Sequence, residues 1–251
     1  MRVDSGRQDG TAACMFINFL LFFFLVFKLI VGPIASVQLL YLIRAGKMRE
    51  RPRRLNFAVG ILWAAINIWW AREIANSLGI TIFSWPARIV TALVLGAAVM
   101  SGGYLTTVLT KNLRWRSEVE DRFLRTMLPN ALTDLPLWIL LSVAVGISEE
   151  LVFRGVLFNL LSRGLQFGSA NRIAAVLICV AAFAMVHAYQ GWKAVSYLAI
   201  FGAAMHLLVF VTGSLLPAMA VHFLNNSMVG VLLVRTLGEQ KRNAASADAA
   251  I

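Results

Sequence analysis

The stretch GISEELVFRGVLF, residues 146–158, sets two adjacent carboxylates, Glu149 and Glu150, and one arginine, Arg154, inside an otherwise apolar run. A charged side chain at the middle of a membrane helix costs roughly 2.5–3.5 kcal/mol on insertion scales, so such residues are rare and functional by default. At about 100° per residue, Arg154 falls on the face of Glu150 one turn along, where the two charges can neutralise each other. Glu149 falls on a substantially different face and has no partner within its own helix. The sequence therefore offers one carboxylate that is locally paired and one that is free for chemistry. The plainer alternative is that both are packing glue with partners on other helices.

The chain has three histidines, all in apolar segments. His187, in FAMVHAY, follows Phe183 by one turn, and His222, in AVHFLNN, has Asn225 and Asn226 on its own face three and four residues later. His206, in GAAMHLLVF, has no polar neighbour at helical spacing and reads as a satisfied core residue. A glutamate and two histidines on separate helices permit two mechanisms. In one, Glu149, His187 and His222 are the ligands of a metal such as zinc that keeps a fourth position open for water. In the other, Glu149 and His187 activate a water without a metal, and His222 and Asn226 donate hydrogen bonds to the oxyanion of a tetrahedral intermediate. The asparagine favours the second, because an amide is a poor zinc ligand and a good oxyanion donor. No cofactor is expected on that reading.

Other chemistries lack their residues. The helical metalloprotease signature His-Glu-x-x-His, the Gly-x-Ser-x-Gly elbow, the Walker loop and the dinucleotide fingerprint are all missing. Ser148 and Ser227 flank the candidate residues without serine-protease spacing. Cys14 and Cys179 give neither metal spacing nor a disulfide framework and read as small packing residues. The run Ser101-Gly102-Gly103 reads as a close-packing or kink feature of a membrane helix.

The elements that must position these groups follow from composition. Of the 251 residues 59% are hydrophobic and 14% charged, whereas a soluble domain carries about 25% charged residues. Several apolar runs reach about 20 residues, the length that crosses roughly 30 Å of hydrocarbon. The expected fold is all-α, a polytopic transmembrane bundle of about seven helices. Crossings are expected from Cys14 to Ile43, Phe57 to about Trp70 and on toward Ile80, Pro86 to Thr110, Leu135 to Leu161, Arg172 to Ala188, Ala194 to Val211 and Leu215 to Leu237. Trp69 and Trp70 read as an interface pair. The polar stretch 111–133 reads as an amphipathic or interfacial helix. The short turns at 189–191 and 212–214 make the last three helices antiparallel neighbours.

The net charge of +11 lies in short loops, 44–54 and 111–125, which is the positive-inside pattern and a contact for anionic headgroups. That rule places both loops in the cytoplasm and the N-terminus outside. No aromatic-interleaved basic domain is present, which argues against nucleic acid as a partner.

Glu149-Glu150-x-x-x-Arg154, then Phe183-x-x-x-His187, then His222-x-x-x-Asn226, resembles the ordered motifs of the CPBP family of CAAX-processing and bacteriocin-processing intramembrane proteases, also called Abi, which includes the type II CAAX prenyl endopeptidases. TGSLLPAMAVHFLNN, residues 212–226, resembles the family's last motif region over its whole length. The resemblance covers about residues 134–237. It implies Glu149 and His187 as water activators, His222 and Asn226 as oxyanion donors, and supporting roles for Glu150, Arg154 and Phe183. It divides the chain into N-terminal helices and basic loops at 1–133, a catalytic membrane core at 134–237 and a polar tail at 238–251. The implied function is an intramembrane endopeptidase of the inner (plasma) membrane of a bacterium, acting on a small peptide or a membrane protein. Peptide maturation, bacteriocin self-immunity and processing of a membrane anchor all fit. The rival class is a transporter or a non-catalytic scaffold that uses the same polar cluster for binding. A proton-coupled carrier needs no oxyanion donor, and a scaffold needs none of the four residues.

Overall fold

The computed structural model describes residues 18–47, 52–81, 84–110, 127–165 and 170–248. They form seven helical rods and no strand. These are α1 (Asn18–Arg44), α2 (Arg53–Ser77), α3 (Ile89–Thr110), α4 (Leu132–Gly164), α5 (Asn171–Met185), α6 (Trp192–Thr212) and α7 (Leu216–Asp248). Among them α1, α4, α6 and the Leu216–Glu239 part of α7 are long and apolar enough to cross a membrane, while Ile89–Gly102 and Asn171–Met185 are shorter apolar helices. Large apolar side chains face outward on several rods, among them Phe22, Leu62, Val90, Ile173 and Ile200. Water would penalise that outer surface, and lipid tails do not. The chain is a helical membrane bundle.

The rods coincide with the expected crossings. The interfacial helix expected over 111–133 lies mostly outside the described residues, as do Cys14 and the basic loop 111–125. Helix α7 continues through the polar stretch beyond Leu237 as far as Asp248, in a segment rich in alanine and long charged side chains that favour helix.

Two rods contain a widened π turn. In α1 it spans Phe27–Val31, where the Gly32 amide reaches back to the Phe27 carbonyl. Pro33 lacks the N–H that Leu29 would otherwise receive, and the widened turn absorbs that loss. In α4 the π turn spans Leu151–Leu157, directly after Glu150, and all seven of its residues are buried. Such turns occur frequently at functional sites.

Helix α4 is the hub. It packs most extensively against α7 and α2, and its backbone meets α7 closely at Gly146. A Cβ there would lie 3.1 Å from the Phe223 amide nitrogen and 3.3 Å from the Met219 carbonyl. Of the run Ser101-Gly102-Gly103, the surroundings of Gly103 lie outside what the structure describes. A Cβ on Gly102 would meet no described atom within 4 Å, and α3 runs through it without a break. Trp69 and Trp70 also part company. Trp69 is exposed, while Trp70, about 100° round the helix, turns inward to stand edge-on to Phe24 at 5.3 Å. Buried Cys179 packs in the central apolar cluster with Phe24, Leu157, Phe183 and Met205, as a small hydrophobe does.

The α6–α7 turn is pinned by its own backbone. Gly213 adopts φ +67°, which a side chain disfavours, and its amide bonds the Val209 carbonyl to cap α6. The segment before α3 clasps this turn, with Ala87 N–H on the Thr212 carbonyl at 3.1 Å and Ser84 Oγ donating to the Gly213 carbonyl at 3.0 Å.

Candidate active site

Glu149 and Glu150 close the regular part of α4. His187 lies just beyond α5, and His222 lies on α7. The bundle brings all four together. His187 Nε2 stands 3.6 Å from Glu149 Oε1, and His222 Nε2 stands 3.5 Å from Glu149 Oε2. The carboxylate with no partner in its own helix thus sits between two imidazoles supplied by other elements. Both distances exceed a direct hydrogen bond, and Oε2 is buried without a hydrogen-bond partner among the described residues. Unsatisfied buried oxygens are uncommon in folded proteins and call for an explanation.

His187 was expected inside a helix, but α5 ends at Met185. The amide of His187 bonds the Ala184 carbonyl at 3.1 Å in a tightened last turn, which frees the Phe183 carbonyl. The His187 ring takes over, with Nδ1 donating to that carbonyl at 2.8 Å. The reason for the early stop lies downstream: Gly191 adopts φ +94° at the end of a short 3₁₀ turn, Ala188–Gln190. A carbonyl only accepts, so the proton of His187 sits on Nδ1 and Nε2 is left to act toward Glu149.

His222 is oriented in a parallel way. Its Nδ1 donates to Glu150 Oε1 at 2.8 Å, and the same oxygen accepts from Arg154 Nη1 at 3.1 Å. The one-turn pair read from sequence is present, though it passes into the π turn. Glu150 also does something the spacing did not reveal, since it holds a histidine 72 positions away. Arg154 is held further by α6 and α5: Nη2 donates to the Gly202 carbonyl at 3.2 Å, and the guanidinium lies 4.4 Å from the Phe183 ring centre, while its Nε has no hydrogen-bond partner among the described residues. Glu150 is 0% and Arg154 2% exposed. This pair is a fully desolvated strut joining α4, α5, α6 and α7. Phe183 also stands edge-on to His222 at 6.2 Å, so it shapes the wall between the two histidines.

Asn226 lies one turn beyond His222 on α7 and is half-buried. Its backbone carbonyl accepts from Trp138 Nε1 at 3.0 Å, and the indole rests on Gly230, where a Cβ would collide with it. The two asparagines read together on one face differ in burial, Asn225 being 9% exposed and Asn226 half-buried. His206 is buried, as expected of a core residue, between Phe158 and Phe210. It is not satisfied, for its Nε2 lacks a partner among the described residues.

The donor types of a His₂Glu zinc centre are all here. Among the described residues, however, no group of three or more His, Cys, Asp or Glu is arranged to hold a metal ion.

Residues missed by sequence reasoning come mainly from the N-terminal half. Lys28, inside the first apolar run, is buried and donates to Asn67 Oδ1. Ser36 Oγ accepts the Tyr189 amide at 3.0 Å, at the turn that follows His187. Arg53 pairs with buried Asp134 at 3.3 Å, joining the start of α2 to the start of α4.

Residues 131–228 match the family described as Rce1-like: type II CAAX prenyl endopeptidase Rce1-like. The match bears out the CPBP resemblance, and it supports intramembrane protease activity in general. No curated protein and no solved structure matches the chain.

Proposed function

We propose, from the match of residues 131–228 to the Rce1-like family, that the chain hydrolyses a peptide bond of a small or membrane-associated peptide, with water activated by Glu149 and His187. One observation carries the reading: the Glu149 carboxylate stands 3.5–3.6 Å from two Nε2 atoms, on His187 and His222. Groups so spaced can all reach a single water oxygen. As that oxygen attacks the scissile carbonyl, its proton passes to Glu149, and His187 Nε2 orients the water. The Glu149 proton then goes to the leaving amine, which restores the carboxylate.

Negative charge builds on the carbonyl oxygen during attack, and donors must be waiting there. His222 and the Asn226 amide supply them. Glu150 Oε1 holds His222 Nδ1 at 2.8 Å, which leaves Nε2 facing the site 3.5 Å from Glu149 Oε2. Glu150, Arg154 and Phe183 position these groups and do not touch the reacting atoms. Residues 134–237 form the catalytic core, within the inner membrane of a bacterium.

A transporter or scaffold has no use for an oxyanion donor beside a glutamate held between imidazoles. The competing catalytic scheme takes Glu149, His187 and His222 as zinc ligands. The test pairs elemental analysis of chelator-washed, active protein with the rate of Asn226→Ala. The metal-free scheme expects zinc far below stoichiometric and a loss of about 10²–10³ in turnover, the usual cost of one oxyanion donor. Activity abolished by a chelator and restored by zinc, with a small effect of Asn226→Ala, would replace it with the metal scheme.

A further inference from the structure

Helix α4 grips α7 at two levels, and each grip falls on a residue that bears a proposed oxyanion donor. At one level Glu150 Oε1 holds the His222 ring through Nδ1 at 2.8 Å. At the other, one turn further along α7, Trp138 Nε1 donates to the backbone carbonyl of Asn226 at 3.0 Å. Trp138 and Glu149 both lie on the regular part of α4, eleven residues apart. At about 100° per residue, that spacing returns to within about 20° of the same face. One face of α4 thus turns both the water-activating carboxylate and the indole toward α7.

The indole has a seat made for it. It lies directly on Gly230, where a Cβ would collide with Nε1, Cδ1 and Cε2. A glycine inside a helix loses stability relative to alanine, and here its bareness admits the ring to the Asn226 carbonyl. Behind the indole stands buried Phe57 of α2, with ring centres 5.6 Å apart, and Ser142 Oγ donates to the Trp138 carbonyl at 2.8 Å. The helix ladder already gives the Asn226 carbonyl the amide four residues on, and a carbonyl oxygen has a second lone pair for the indole. Helix α7 is therefore complete without this bond. What the bond adds is a fixed position of this turn against α4. Gly146 meets Met219 and Phe223 toward the other end of the same interface, and the stretch of α7 between these contacts carries His222 and Asn226.

We propose that Trp138 is a positioning residue for the oxyanion site: its indole N–H holds the Asn226 backbone against α4 and so aims the Asn226 amide at the scissile carbonyl oxygen. Oxyanion donors act only when they stand in place before charge develops. A misplacement of about 1 Å caused far from the chemistry can cost about 10²-fold. Trp138 itself touches no reacting atom. The inference rests on the protease reading with Asn226 as donor, and it adds to that reading what keeps the donor in place.

The test uses the full-length protein in lipid nanodiscs and a peptide that wild-type protein cuts, found by mass spectrometry in a pool of membrane-partitioning peptides. At position 138 the tryptophan is replaced by 3-benzothienylalanine, which exchanges the indole N–H for sulfur and keeps the shape of the ring. Trp138→Phe is made as a second variant, and each change is made in wild-type and in Asn226→Ala protein. The isosteric replacement should lower kcat about tenfold, less than deletion of the donor itself. KM should stay within about twofold, because the lost contact acts in the transition state, and thermal stability should stay near that of wild type. In the Asn226→Ala background the same replacement should change kcat by less than about twofold, since the group it aims is gone. Trp138→Phe should repeat this pattern with lower stability from lost packing. Wild-type kcat in the isosteric protein would overturn the inference. So would an equal fractional loss in both backgrounds, which is the mark of a general packing role. Failure of the protease reading looks different: no peptide in the pool is cut by wild-type protein, or Glu149→Gln cuts as well as wild type. Cleavage by Asn226→Ala at the wild-type rate would contradict the donor assignment itself, whatever the changes at position 138 do.

Discussion

Glu150 Oε1 is shared between Arg154 and His222, so the two neighbouring glutamates divide the work of the site. Removing one partner of a buried ion pair costs about 3–5 kcal/mol, because the other charge is left stranded. Glu150→Gln should therefore lower stability in detergent, and a second change, Arg154→Met, should recover part of it. Cleavage should not return with stability, since His222 has also lost the acceptor that fixes its ring. Thermal unfolding and cleavage rates of the single and double variants check this. A double variant no more stable than the single would mean that the strut does not matter. Recovery of both properties together would mean that Glu150 has no positioning role toward His222.

Helix ends and close approaches decide which side chains meet. Gly146 lets the α4 backbone reach that of α7 one turn before Glu150, and the atoms a Cβ would strike are backbone atoms that cannot swing aside. Gly146→Ala should cost about 1–3 kcal/mol, the usual price of overpacking, and should slow cleavage by shifting Glu149 against His222. Thermal stability and cleavage rate of the variant check this, and a variant equal to wild type in both would mean that the close approach does not matter. The same scale shows what could be read in advance. Apolar runs mark where the rods lie, because hydrophobicity is a local property, although only four of the rods are long and apolar enough to cross a membrane. The stop of α5 at Met185 was not legible: FAMVHAY contains no glycine or proline to mark a break, which depends on Gly191 and on a ring that replaces a backbone donor. The Glu150–His222 contact was illegible for another reason, as no periodicity within one helix reports on a residue 72 positions away.

Across the whole molecule, the matched stretch does not work alone. Helix α1 braces the turn after His187 through Ser36, and Arg53 ties α2 to Asp134 at the start of α4. Ser36→Ala would leave the Tyr189 amide unsatisfied, at about 1–3 kcal/mol. It should reduce both stability and cleavage although Ser36 touches no reacting atom; unchanged cleavage would show that α1 is only an anchor. Sequence motifs singled out Glu149, His187, His222 and Asn226 as candidates because chemistry restricts residue type, whereas the Lys28–Asn67 contact became visible only once two helices were packed. The central claim is that this packing assembles a water-activating site around Glu149. The most direct measurement is peptide cleavage by purified Glu149→Gln protein, which keeps the shape of the side chain and removes its basicity. The account predicts a loss of several orders of magnitude in kcat, with normal membrane insertion and near-normal thermal stability. Cleavage at the wild-type rate would contradict it.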